Sequence, residues 1–446
     1  MKKVLFAFFI SAIFLCKANA DLSDYTSVSF WNKFNDDILI NNLLTVYQNN
    51  NDLKASVLKV QQANRIVKMS FADELPYLGF HGYVGQIFHS SDEIFGDITI
   101  PDYTQAHFLF PLEMNYEIDI WGKNRLKTKS KKKQLEMLKQ DEKASYIYIS
   151  SAFSANYFNL VRCDKLIEYQ KQLIDTAQKI VKAYELKYEY GRATLSDIEK
   201  AKKNLTFLEQ DLEKLLEKQD ILKNQLNVFM SDRTFSDIKR ADFDSLDILL
   251  KIPSNIEFEV LDNRPDRVKS RLDLEKIGLE VKIARREMLP RFIISGNLGF
   301  NMYSVSSAHN FLADIGIIPI FDIFSGGRKI QMLKLKKDKY EIAIQNYEKT
   351  ILTSIKEAND ALYCAKTAKN IEQTTNARLK TDEKELDYTI QKIDAGTMDN
   401  LDLLFQKQRL IVSKMQNVSA KTNVIISALN LYQALGGVDF SELENI

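Results

Sequence analysis

Proline occurs at seven positions, 76, 101, 111, 253, 265, 290 and 319, and two long stretches, 121–230 and 326–435, contain none. Proline inside a helix removes a backbone hydrogen bond and clashes with the preceding turn. Both stretches are rich in Lys, Glu, Gln, Leu and Ala, residues that favour helix. Very long helices follow, and at 1.5 Å per residue an arm from 121 to 190 spans on the order of 100 Å. Each stretch is interrupted once by a glycine in a turn-like context, Tyr190-Gly191-Arg192 and Ala395-Gly396-Thr397. There glycine takes the positive φ of a helix C-terminus, so each stretch reads as an antiparallel helical hairpin.

Coiled-coil spacing runs along the returning arms. Ile198, Ala201, Leu205, Leu208, Leu212, Leu215, Leu222, Leu226 and Phe229 alternate in steps of three and four, interrupted only by Gln219. Leu404, Ile411, Met415, Val418, Ile425, Leu429 and Tyr432 do the same, with Gln408 and Thr422 as polar members. The spacing alone establishes that helices pack; a solvated scaffold has it too.

Ahead of each long stretch the period changes to two. Ala106, Phe108, Phe110, Leu112, Met114, Tyr116 and Ile118 alternate with Gln105, His107, Glu113, Asn115, Glu117 and Asp119. Ile294, Leu298, Phe300 and Met302 are set against Ser295, Asn297 and Asn301. With weaker partners at 77–88 and 311–321, these segments predict two β-hairpins, over 77–119 and 292–322. A shorter helical pattern ending in Leu75-Pro76 or Leu289-Pro290 precedes each. The unit is helix, hairpin, long helical hairpin, and it occurs twice. EIDIWGKNR (117–125) and FDIFSGGRK (321–329) are the two corners where strand passes to helix, with Asp119 and Asp322, and Arg125 and Arg328, at one common offset (322 − 119 = 328 − 125). The expected fold class is therefore mostly α, with long antiparallel coiled-coil hairpins, four strands and an internal two-fold repeat. Its segments are 1–20, 21–230, an inter-repeat stretch 231–262, 263–435 and a tail 436–446.

Strands of about ten residues with one apolar face match the wall of a membrane barrel. A water-soluble sheet packed against a helix has the same pattern. Four strands cannot close a barrel, which takes about eight, so the membrane reading requires several copies to share one wall.

Lys2 and Lys3, the apolar run Val4–Leu15 and Ala18-Asn19-Ala20 have the form of a secretory signal over 1–20. Cys16 is a candidate for lipidation, although Leu15 stands where a lipobox has a small residue. Past this leader no apolar run is long enough for a spanning helix. Cys163 and Cys364, the two mature cysteines, each lie in a helical pattern and read as small core residues, with a disulfide between them as the alternative. Lys plus Arg (61) nearly balance Asp plus Glu (60), so no global field recruits nucleic acid. His81, His89, His107 and His309 lack ligand spacing and no Gly-rich phosphate loop precedes a helix, which argues against an enzyme, a metal site or a cofactor.

Five stretches together, 30–64 (FWNKF…QQAN), YEIDIWGKNR (116–125), NRPDRVKSRLDLE (263–275), ARREMLPRFIISGNLGF (284–300) and PIFDIFSGGR (319–328), resemble the TolC-like family of outer-membrane efflux channels. Trp-Gly after the strand and Arg-Pro-Asp before the second half resemble the branch that serves resistance-nodulation-division pumps. That resemblance implies a homotrimer: a twelve-stranded β-barrel in the outer membrane continuous with an α-helical barrel through the periplasm. It implies a passive conduit for small molecules, working with a periplasmic adaptor and an inner-membrane pump. It implies that Phe108, Phe110, Leu112, Ile294 and Leu298 face lipid, and that carboxylates six residues beyond the hairpin glycines, Asp197 and Asp402, line a periplasmic gate. The place nine beyond the second glycine is Phe405, so an acidic ring here is thinner. Gly191, Arg192, Ala193 and Thr194, with Gly396, Thr397, Met398 and Asp399, correspond to tips that meet the adaptor. Either aspartate also reads as an ordinary helix-start carboxylate. Lys131–Lys133 and Lys334, Lys336, Lys337 and Lys339, which recur after the corners, read as a solvated helix face or as partners of anionic headgroups. A type I protein-secretion conduit shares this architecture, and a periplasmic coiled-coil scaffold or adaptor shares its heptads.

Overall fold

The computed structural model describes residues 28–89, 92–93, 99–100, 102–246, 251–303 and 309–439. The leader over 1–20, Cys16 with it, and the tail from 440 lie outside these residues. The chain begins with α1 (Val28–Asn32), α2 (Asp37–Asn49) and α3 (Asn51–Ala72). The strands β1 (Tyr77–Phe80), β2 (Tyr83–His89), β3 (Asp92–Glu93), β4 (Thr99–Ile100) and β5 (Tyr103–Ile118) follow. Then come α4 (Lys123–Glu189), 67 residues without a break, and α5 (Leu195–Met230). After an irregular connection holding 3-10 turns at Phe243–Ser245 and Phe258–Asn263, the order recurs: α6 (Pro265–Arg286), β6 (Arg291–Tyr303), β7 (His309–Ile320), α7 (Arg328–Asp394) and α8 (Asn400–Ala434). α7 also has 67 residues.

Two compact units cut across these halves. One comprises the described residues up to Asn50, Tyr146–Ile256 and the described residues from Ala361 on; the other comprises Asn51–Ser145 and Glu257–Asp360.

The second unit holds the sheet, in the order β1-β5-β6-β7 with β2 also paired to β5, every pair antiparallel. The segment expected as one strand over 77–88 is two, because the chain leaves the ladder between Phe80 and Tyr83, where only the His81 N–H reaches the Pro111 carbonyl, at 3.2 Å. A separate two-stranded ribbon, β3-β4, adds a pair that the period-two reading did not contain. Gly299 of β6 lies opposite Pro111 of β5, and a Cβ there would stand 2.6 Å from the Phe110 carbonyl oxygen and 2.7 Å from the Pro111 Cα. Only glycine fits that approach. Beneath the sheet, the Thr128 hydroxyl of α4 donates to the Ser70 carbonyl of α3 at 3.1 Å. Arg-Pro-Asp has a structural explanation here. Pro265 occupies the first turn of α6, where its missing N–H costs nothing. Arg264 pairs with Asp266 and with Glu357 of α7, both at 2.6 Å. Burial lowers the proton affinity of that guanidinium, but the hydrogen bonds to Asp266 and Glu357 outweigh it and the group is held more firmly charged.

The first unit is built on an aromatic core. Phe30 stacks on Tyr432 with centroids 4.1 Å apart, and Phe34 lies 5.3 Å from Phe158. Asp36 ties this core to α2. One carboxylate oxygen caps the helix, accepting from Ile38 N at 2.9 Å and Leu39 N at 3.0 Å. The other accepts from the Tyr157 hydroxyl at 2.7 Å. Burial, together with that carboxylate, pushes the Tyr157 phenol far above its ordinary range.

The α5 seam is covered along its whole length: Ile198, Leu222 and Leu226 are buried and its other positions half-buried. On α8 the buried stripe is wider than the spacing indicated. Val418, Thr422, Ile425, Leu429 and Tyr432 are buried, but Leu404, Gln408, Ile411 and Met415 only half so, while Leu401, Leu410, Ser413 and Asn417 are buried beside them. Cys163 is buried, its thiol against the Leu215 carbonyl at 3.2 Å, but Cys364 is exposed, and both thiols are free. Cys364 is therefore not a core residue of the protomer: a helical pattern establishes that a position is helical and not which way it faces.

Candidate functional site

Three places carry the expected functional residues, and the first is the sheet. Residues opposite each other in a ladder share a face. Phe108 lies across from Val84 and Met302, Phe110 from Phe300, Leu112 from Phe80 and Leu298, and Tyr116 from Ile294. β7 adds Ile315 beside Gly296 and Ile317 beside Ile294. Phe108, Phe110, Leu112, Ile294 and Leu298 therefore belong to one apolar surface running over five strands. Much of it is exposed, Leu112 at 42%, Leu298 at 48% and Ile315 at 76%, while Phe108, Phe110 and Ile294 are half-buried. The opposite surface carries Glu113, Asn115, Asn297, Asn301 and Asp314, with His107 Nε2 2.7 Å from Asn301 Oδ1. β1 and β2 at one side and β7 at the other end the hydrogen-bonded order.

The second place is the pair of corners. At the first, Gly122 has φ +69°, and the Asp119 carboxylate accepts from the backbone N–H groups of Asn124 (3.0 Å) and Arg125 (2.9 Å) and from the Arg125 side chain (3.3 Å). Burial works to raise its pKa, but these bonds prevail and hold the carboxyl below the ordinary range. Trp121 Nε1 donates to the Pro290 carbonyl at 2.7 Å and Arg286 to the Gly122 carbonyl at 2.8 Å, so the last turn of α6 is fastened to this corner. The second corner is built differently. Gly326 and Gly327 both have positive φ, and Asp322 pairs with Lys329 at 2.8 Å, a bond that lowers its pKa. Ile323 and Phe324 beside it are each 89% exposed.

The third place is the pair of helical turns, which are built alike. Gly191 N–H reaches Tyr188 O (2.8 Å) and Arg192 N–H reaches Lys187 O (2.7 Å). Gly396 N–H reaches Ile393 O (2.8 Å) and Thr397 N–H reaches Lys392 O (2.9 Å). These are the two bonds of a Schellman end. Both glycines lie in the left-handed region, Gly191 at φ 69° and Gly396 at φ 72°. Three residues after each glycine stands the N-cap of the next helix, Thr194 and Asp399. Asp197 and Asp402 are then the third residues of the returning helices: Asp197 Oδ2 accepts from Thr194 N at 2.9 Å, and Asp402 Oδ2 from Asp399 N at 3.3 Å. The spacing of six that singled out both carboxylates is thus the spacing of a capping box. Hydrogen bonds from the Thr194 hydroxyl and backbone hold Asp197 below the ordinary carboxylate range. Gly191, Arg192, Thr194, Gly396, Thr397, Met398 and Asp399 are exposed, and Ala193 is half-buried. A contact that the sequence reading missed joins the turns: Lys187, in the last turn of α4, pairs with Asp399. Nothing in the spacing marks it, because each partner is one charged residue among many.

Among the described residues no cluster of His, Cys, Asp or Glu has the arrangement of a metal site, and no helix is long and apolar enough to cross a membrane.

Comparison with known proteins gives a consistent picture. The sequence profile of the family described as outer membrane efflux protein matches residues 43–230 and 258–437. The cation efflux system protein CusC of Escherichia coli O157:H7 is 21% identical over 420 residues, 91% of this chain and 88% of CusC. The outer membrane protein OprJ of Pseudomonas aeruginosa is 22% identical over 417 residues, covering 91% of this chain and 86% of OprJ. Among solved structures, the CmeC outer membrane channel of Campylobacter jejuni superimposes with a TM-score of 0.81 at 22% identity, over 94% of this chain and 91% of that one. The mostly helical fold with its small antiparallel sheet is that of these channels.

Proposed function

Because the chain belongs to the outer membrane efflux protein family, we propose that three copies share one barrel and form the outer-membrane conduit of a tripartite efflux system. The observation that carries this reading is the apolar sheet surface. A soluble protein covers such a surface, and here large side chains on each of five strands are exposed on one side of a sheet whose other side carries Glu113, Asn297 and Asp314. Lipid around a closed barrel covers it without exposing a strand edge, and closure by neighbouring copies uses both ends of the strand order.

In this reading Phe108, Phe110, Leu112, Ile294 and Leu298 face lipid, and the helical arms extend into the periplasm toward an adaptor and an inner-membrane pump, of the resistance-nodulation-division type. The exposed turns Gly191–Thr194 and Gly396–Asp399 meet the adaptor. Asp402, with a lesser contribution from Asp197, lines the mouth: crowded carboxylates there favour cations over anions. Transport energy comes from the pump, the conduit being passive. The cargo is small molecules, a class in keeping with the name of the cation efflux protein CusC.

The test is a deletion strain challenged with dyes, detergents, antibiotics and metal ions, its secreted proteins compared in parallel, and fractionation of the wild type. Heat-modifiable trimers in the outer-membrane fraction and increased susceptibility to one or more compounds are expected. A soluble monomer, or a loss confined to secreted proteins, overturns the reading.

A further inference from the structure

A conduit by itself gives no reason for the basic residues that follow both corners. From Lys123 to Lys133 there are seven Lys or Arg and no Asp or Glu; from Arg328 to Lys339 there are six, against the single Asp338. The fold uses some of them internally. Lys123 pairs with Glu117 (2.5 Å), Lys329 with Asp322 (2.8 Å), Lys133 with Glu275 of α6 (2.9 Å) and Lys336 with Glu280 of α6 (2.6 Å). Lys133 and Lys336 are repeat equivalents, at the same offset as the corner aspartates (336 − 133 = 322 − 119), and do the same work. Their neighbours do not. Lys129, Lys131, Lys132, Lys334, Lys337 and Lys339 are exposed, and among the described residues no carboxylate forms an ion pair with any of them. Lys131 and Lys334 are also equivalents, each six residues past the matching arginine.

Their height along the helices is limited. Lys129 and Lys334 each lie six residues into their helices, about 9 Å from the corner, with Lys131 at about 12 Å, Lys132 and Lys337 at about 13 Å and Lys339 farthest, at about 16 Å, at 1.5 Å per residue. The headgroup layer on one side of a bilayer is roughly 5 to 8 Å thick, and a lysine stem extends its ammonium several ångströms further. At the corners themselves the chain exposes apolar side chains: Trp121 is 41% exposed, and Ile323 and Phe324 are each 89% exposed. Phe321 continues the apolar face of β7 by its odd numbering. Apolar anchors at the corners, continuous with an apolar sheet and followed about two helical turns on by exposed lysines whose stems reach back toward them, match a bilayer interface; an acidic protein partner would not call for the apolar anchors.

Resting on the reading that the sheet lies in the outer membrane, we propose that these two basic clusters bind anionic phospholipid headgroups of the inner leaflet and enrich them around the base of the barrel.

The chain has two tryptophans, and Trp31 is only 1% exposed, so lipid-borne quenchers act on Trp121. Full-length protein is reconstituted in mixed phosphatidylglycerol and phosphatidylcholine, with bromine on the acyl chains of one lipid at a time. Brominated phosphatidylglycerol should quench more strongly, corresponding to an association preference of about fivefold, the factor one basic side chain near an anionic surface contributes. That preference should shrink at about 1 M salt, where the screening length is near 3 Å. In the variant K129Q/K131Q/K132Q/K334Q/K337Q/K339Q it should approach one, with heat-modifiable trimers unchanged. Equal quenching by the two lipids in the wild type, a preference insensitive to salt, or one that persists in a trimeric sextuple variant, overturns the proposal. Quenching by neither lipid overturns the membrane assignment of the sheet as well.

Discussion

Lys187 and Asp399 form an ion pair that ties the last turn of one long helix to the first turn of another, across 212 positions of sequence (399 − 187). The hydrogen bond from Lys187 is the largest influence on Asp399 and lowers its pKa. A folded-state pKa below the unfolded value means the pair contributes above the ordinary carboxylate range, about 4, and is lost as pH falls through the lowered value. Both partners are partly exposed, so a double-mutant cycle between Lys187→Met and Asp399→Asn should give a coupling of only about 0.2–1 kcal/mol. If the pair holds the turns at the mouth, both single variants should raise single-channel conductance in planar bilayers at neutral pH. Conductance equal to wild type would show that the pair is a surface contact.

Asp402 caps its helix, and the mouth role proposed for it can be separated from that one. Asparagine at that place still accepts the Asp399 N–H but carries no charge. Asp402→Asn is expected to lower cation selectivity and weaken block by divalent or trivalent cations with little loss of stability. Asp402→Ala should do the same, raise conductance, and cost about 1 kcal/mol of capping. Asp197→Asn should change selectivity less. Wild-type selectivity and block in Asp402→Asn would leave Asp402 as a helix-start residue alone.

Leu112 lies between Phe80 and Leu298 on the apolar face, whereas Asn297, opposite Glu113, lies on the polar one. Leu112→Arg should destabilise the inserted trimer by roughly 2–4 kcal/mol near the bilayer midplane, read as loss of trimer in urea titrations. Asn297→Arg should be tolerated and alter conductance instead. Equal tolerance of arginine on both faces would overturn the assignment of sides.

Asp119 closes the first corner by accepting hydrogen bonds from two backbone N–H groups of α4. Asp119→Ala should cost about 0.5–2 kcal/mol, the usual range for a lost capping interaction. Its pKa is lowered in the folded state, so this contribution is present at neutral pH and disappears on acidification below about 4. Trp121 emission should therefore shift between pH 5 and strongly acidic solution in the wild type and much less in Asp119→Asn. An identical pH profile in the two proteins would remove Asp119 as the titrating group.

Much of this architecture is local and therefore legible in the sequence. Proline placement and helix propensity marked the two longest helices, because excluding proline is a requirement each position meets alone. Gly191 and Gly396 marked their turns, because positive φ is a property of one residue. Period two marked the strands and even their sides, since alternation fixes the face once the strand is given. Other features depend on what arrives from elsewhere in the chain. The break between β1 and β2, the close crossing at Gly299 and the pairing of Arg264 with Glu357 require a partner strand or helix that no local pattern names. Cys364 reads as a small core residue from its type and helical context but is exposed, because a helical pattern without a seam through the residue does not say which face a neighbour covers. The six-residue step from glycine to Asp197 and Asp402 was visible from the start, yet only the hydrogen bonds of each turn reveal it as a capping box. Charge pairs such as Lys187 with Asp399 were decided by tertiary structure alone: with 61 basic and 60 acidic side chains in the chain, composition permits very many pairings and packing selects a few.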